Sequence, residues 1–128
     1  MEDLIRHWVK IVNEEYGKSD LNQYCIDFFT ELSKQDDYVF LFYDWGYIIM
    51  VLGVDMWGEK LLGVVSFYID KKYRNNPKLF IKLQNIIERV AKENKVDYIE
   101  QGSHRNTKLN DLLEKKFNYK RSVYRRYL

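Results

Sequence analysis

The chain has 128 residues, 46% of them hydrophobic, 31% charged and 16% aromatic, which is the size and composition of one domain that buries its core without disulfides or a structural metal. A single cysteine, Cys25, and two distant histidines, His7 and His104, make neither a disulfide nor a zinc pattern, and acidic Glu2 and Asp3 stand where a secretory signal would be basic. The net charge of +2 conceals an asymmetry: residues 1–70 hold 5 Lys/Arg against 13 Asp/Glu, and residues 71–128 hold 16 against 6, or −8 against +10.

In chain order, Leu4, Ile5, Trp8, Ile11 and Val12 recur at helical spacing and Gly17 follows as a stop, which predicts a first helix. Asp20, with Gln23 three residues on, predicts a capping box for a second helix whose apolar face is Leu21, Tyr24, Cys25, Phe28, Phe29 and Leu32. Cys25 is thereby expected in a core, as a small hydrophobe rather than a nucleophile. From residue 38 dense aromatic and β-branched residues, punctuated at residues 44–46 and 56–59, predict three antiparallel strands over 38–43, 47–55 and 60–69. The run 38–54 is interrupted by Asp44 and Gly46 and falls short of a membrane span. An intracellular protein without a metal is expected.

Asn76 followed by Pro77 marks a helix start, the asparagine as cap and the proline at the first helical position. Leu79, Leu83, Ile86, Ile87, Val90 and Ala91 line one side of this third helix. Residues 96–100 are strand-like, which completes a β-α-β crossover between parallel strands. A fourth helix over about 106–116, with Leu109, Leu112 and Leu113 inward, and a closing strand over 122–128 end the chain.

This order of elements, together with Tyr68-Ile69-Asp70-Lys71-Lys72-Tyr73-Arg74-Asn75-Asn76 and the later Asn106, Leu112-Leu113-Glu114-Lys115 and Phe117-Asn118-Tyr119, resembles the GNAT-type N-acetyltransferases. The resemblance implies an α+β fold, one domain over residues 1–128, with a mixed central sheet flanked by about four helices. It implies acetyl-CoA as cofactor, with Ile69, Lys71, Arg74, Asn75, Asn76, Lys78 and Asn106 as the residues to hold it. The compositional bias looks most like short, degenerate GNAT-like proteins of phage and AT-rich bacterial genomes, which implies a cytoplasmic or virion-associated location.

The same resemblance exposes departures. Counting from Arg74, Pro77 and Leu79 occupy the two positions where such enzymes carry small residues, so that backbone N–H groups can approach the cofactor pyrophosphate. Leu113 occupies the position of a tyrosine acid, with Tyr119 or Tyr124 as substitutes if the alignment slips. Glu100 is the first candidate base, ahead of Tyr68, Asp70 and His104. A GNAT-like protein with impaired or absent acetyl transfer, working as a binding or structural module on a protein partner or on itself, is the preferred expectation. An active acetyltransferase with a non-standard loop is the alternative. A third option is nucleic-acid binding by the basic, aromatic segment 115–128, whose alternative is a strand with buried rings. Lys71, Lys72, Arg74, Lys78 and Lys82 make a basic face that suits an anion or simply solvent.

Overall fold

The computed structural model describes residues 1–101, 115 and 125–127. Helix α1 (Glu2–Glu15) and a 3-10 turn (Ser19–Leu21) lead to α2 (Asn22–Ser33), then to strands β1 (Tyr38–Tyr43), β2 (Gly46–Val54) and β3 (Lys60–Ile69). A second 3-10 turn (Lys71–Tyr73), α3 (Pro77–Glu93), β4 (Tyr98–Glu100) and β5 (Arg125–Tyr127) follow. One five-stranded sheet runs in the order β1-β2-β3-β4-β5, with β3 parallel to β4 and every other neighbour antiparallel. The α+β class, the meander and the β3-α3-β4 crossover are as the sequence predicts. The expected fourth helix, apart from Lys115, lies outside the described residues. Among the described residues no helix is long and apolar enough to cross a membrane.

Period-2 alternation sorts the strands onto two faces. Ile48, Met50, Leu62 and Ile99 pack against Leu79, Leu83, Ile86, Ile87, Val90 and Ala91 of α3, so the predicted inner stripe of that helix is the observed one. Asn76 caps it as predicted, its side-chain oxygen accepting from Lys78 N–H at 3.1 Å. Burying Leu83 and Ile87 completely is worth roughly 1.5–3 kcal/mol each. On the other face, Phe40 and Ile49 meet Ile5 and Val9 of α1 and Ile26 of α2.

The N-terminal helices depart from the expected pattern. Helix α1 ends as predicted, with Gly17 in the left-handed region at φ +68, but Leu4 is exposed, and Val9 and Asn13 are buried in its stead. In α2 the capping box does not form: Asp20 sits inside the 3-10 turn, Leu21 is the cap residue, and no side chain caps the helix. Its buried residue is Ile26, with Cys25, Phe29 and Leu32 half-buried beside it, while Leu21, Tyr24 and Phe28 face outward. Without the Asp20 cap to fix its start, α2 begins one residue later, at Asn22, and presents the Cys25–Ile26–Phe29 side. Asn13 Nδ2 donating to Asn22 Oδ1 at 2.9 Å locks that orientation against α1.

Candidate ligand site at the end of β3

Strands β3 and β4 pair over only three residues, Leu61 with Tyr98, Leu62 with Ile99 and Gly63 with Glu100. Immediately beyond, Ile49 pairs with Ser66 and Met50 with Val64, which leaves Val65 as an extra residue in β3. Such a bulge bends its strand and increases the local twist. Beyond Gly63, among the described residues, β3 continues along β2 without a ladder to β4. The bulge also switches the alternation: Leu62 and Val64 before it, and Phe67 and Ile69 after it, pack on the α3 side. Ser66 and Tyr68 are thus turned to the α1 side.

There they join an aromatic group. The Tyr68 ring stacks on Tyr47 at 6.1 Å and lies 6.0 Å from Trp8, and the Tyr47 hydroxyl is 3.2 Å from Ser66 Oγ. Burial raises the Tyr47 hydroxyl above the usual tyrosine range. Tyr68 is pushed up to about 12, first by burial and then by the charge of Glu15.

The loop after β3 is closed on itself. Asp70 N–H donates to the Trp45 carbonyl at 2.8 Å, and the Asp70 carboxylate accepts from Lys72 N–H at 3.4 Å. Tyr73 N–H donates to Asp70 O, Arg74 N–H to Lys71 O, Asn76 N–H to Tyr73 O and Leu79 N–H to Asn76 O, at 2.9 to 3.3 Å. Lys78 N–H is taken by the Asn76 side chain, and Pro77 has no N–H. The Leu79 side chain is buried in the α3 core, as its place on the inner stripe of that helix predicts, and so does not project into the loop.

Arg74 is engaged three ways. Its Nε donates to Ile69 O at 2.7 Å, Nη2 donates to Glu15 Oε2 at 2.8 Å, and the guanidinium lies 5.1 Å from the Tyr68 ring centre. The hydrogen bond and charge of Arg74 hold the Glu15 carboxyl below its ordinary range against the opposing effect of burial, and Glu15 in turn raises Arg74. Lys71 Nζ is 3.9 Å from Glu15 Oε1. These two ion pairs are the only ones among the described residues that join the acidic and basic parts of the chain, and both converge on Glu15.

Of the residues singled out from sequence, Ile69, Lys71, Arg74, Asn75, Asn76 and Lys78 come together between the end of β3 and the start of α3. Glu100, paired with Gly63, lies six residues back along β3, about 20 Å from Ile69 at ~3.3 Å per residue. It stands where the β3–β4 ladder ends. Asn106, Tyr119, Tyr124, Leu113 and His104 lie outside the described residues. Glu15 was missed. It is 59 residues from Arg74 and has no motif of its own; only the isolated positive charge of the loop could have prompted a search for its partner. Among the described residues no group of three or more His, Cys, Asp or Glu side chains is placed to hold a metal.

No protein-family model and no curated protein sequence matches the chain. By structure it is similar to the crystal structure of a probable acetyltransferase, with a TM-score of 0.68 and 16% identity over 88% of this chain and 80% of the other. The fold is an acetyltransferase-like one.

Proposed function

We propose that this chain is a GNAT-fold protein in which acetyl transfer is impaired and which works as a binding or structural module. One observation carries the reading. Along the loop from residue 72 to residue 79, the backbone N–H groups of Lys72, Tyr73, Arg74, Asn76, Lys78 and Leu79 are already hydrogen-bonded within the chain, and the Arg74 guanidinium is held by Glu15, Ile69 and Tyr68. A cofactor pyrophosphate depends on free donors at such a helix start. The residues present therefore fit acetyl-CoA poorly at its most charged part. Displacing those bonds would leave Glu15, a largely buried carboxylate, without its guanidinium, a costly exchange.

The similarity to a probable acetyltransferase favours a second reading, an active acetyl-CoA-dependent N-acetyltransferase with a non-standard loop. In it Ile69, Lys71, Asn75, Asn76 and Lys78 would face the cofactor, with Asn106 beside them, and Glu100 at the end of the β3–β4 ladder, or Tyr119, would handle the proton. A ligand that binds only the folded state stabilises it by about 2.7 kcal/mol at a hundredfold excess over its Kd. Thermal unfolding followed against acetyl-CoA separates the two. The proposal expects an unchanged midpoint at millimolar cofactor; a rising midpoint accompanied by transfer to any amine would replace it with the second reading.

A further inference from the structure

The two faces of the sheet carry opposite charge. Residues 1–37, which hold α1 and α2, contain four Lys/Arg and nine Asp/Glu, and residues 77–95, which hold α3, contain five against two. Because α1 and α2 cover one side and α3 the other, much of the sequence asymmetry lies across the sheet, bridged among the described residues by the pairs of Glu15 with Arg74 and Lys71.

Each face also exposes apolar surface where its charge is concentrated. Leu21 at the cap of α2 and Tyr24 and Phe28 within it are 43%, 71% and 52% exposed, a stripe at i, i+3 and i+7. Exposed Asp20, Asp27 and Glu31 flank it. Tyr24, Asp27, Phe28, Glu31, Leu32 and Gln35 line a shallow depression of about 390 Å³. On α3, Ile81 is 48% exposed, with Lys78, Lys82, Asn85 and Arg89 exposed around it.

We infer that this protein associates with itself head to tail, the acidic apolar stripe of α2 in one copy docking on the basic outer face of α3 in the next. Charge complementarity selects a second copy as the occupant: each molecule carries both halves of the contact, on opposite sides of the sheet. Such a contact is heterologous, so it continues from copy to copy unless the rotation closes a ring. The charges steer and set register, and the aromatic stripe supplies the buried centre. The inference rests on the two faces alone and holds whether or not acetyl-CoA binds.

Sedimentation of the full chain at increasing concentration tests it. The mass is expected to rise above the 15.7 kDa of one protomer. It should fall back as salt goes from about 0.01 M to about 1 M, which shortens the Debye length from about 30 Å to about 3 Å. Y24K/F28K removes the α2 face and I81E/K82E the α3 face; each is expected to sediment as a monomer, and an equimolar mixture to give a 1:1 complex of twice the protomer mass. Because the Phe28 ring packs edge-on to Phe29 at 5.2 Å, D27K/E31K serves as a second α2 variant should the first fail to fold. A monomeric wild type at every concentration would overturn the inference. So would I81E/K82E assembling like wild type, which is the signature of α2 pairing with α2, or a mixture that stays monomeric.

Discussion

The two sides of the sheet hold their helices in different ways. On the α3 side one amphipathic helix sinks six apolar residues and Gln84 into a continuous core with Ile48, Met50, Leu62 and Ile99. On the α1/α2 side two helices share a smaller cluster, and a cavity of about 50 Å³ remains among Ile5, Trp8, Val9, Cys25, Phe29 and Ile49. Helix α2 also carries more apolar residues than it buries. The α3 side thus buries its apolar residues nearly completely, and the α1/α2 side leaves several of its own in solvent. A stripe of large side chains left in solvent is costly unless something covers it.

Core truncations sharpen the contrast most. Leu83→Ala, at a fully buried position of α3, is expected to lose stability near the upper end of the about 2–5 kcal/mol typical of such changes. Ile26→Ala, at the matching position of α2, should fall near the lower end, because its smaller cluster is already loosely packed. Urea unfolding of both variants checks the order, and equal losses would erase the distinction.

Gly46→Ala comes next. A Cβ there would run into the carbonyl of Tyr68 and force β2 and β3 apart where Tyr47 and Tyr68 stack. The expected loss is about 1–3 kcal/mol, and a near-neutral result would show that this end of the sheet gives way easily.

Glu15→Gln is expected to cost about 1 kcal/mol near neutral pH, kept modest by the partial exposure of Arg74. Since the folded state lowers the Glu15 pKa from its ordinary 4.5, the stabilisation is complete above that value. It is lost as pH falls through the lower folded-state pKa. The gap between wild type and Glu15→Gln in urea midpoint should therefore close on acidification below about 4.5; a gap that widens there would mean the carboxylate is not held as described.

How much of this was visible in sequence follows the same division. The Asn76-Pro77 start and the inner stripe of α3 were readable because one periodicity there admits one face. In α2, Leu21-Tyr24-Phe28 and Cys25-Ile26-Phe29 are both apolar stripes at helical spacing, and only contact with α1 and the sheet decides which turns inward. The loop showed the same limit. Pro77 was correctly placed at the helix start, but the Val65 bulge and the Glu15–Arg74 pair depend on residues far apart in the chain. Strict alternation along β3 would have put Tyr68 beside Leu62 and Val64.

The donors of the loop after β3 are satisfied inside the chain. Amide hydrogen exchange across residues 70–80, with and without CoA, tests this most directly. Tyr73, Arg74, Asn76, Lys78 and Leu79 are expected to be protected in the free protein, and CoA to change none of them. Rapid exchange at these amides in the free protein, slowed when CoA is added, would contradict it and point to a working cofactor cradle.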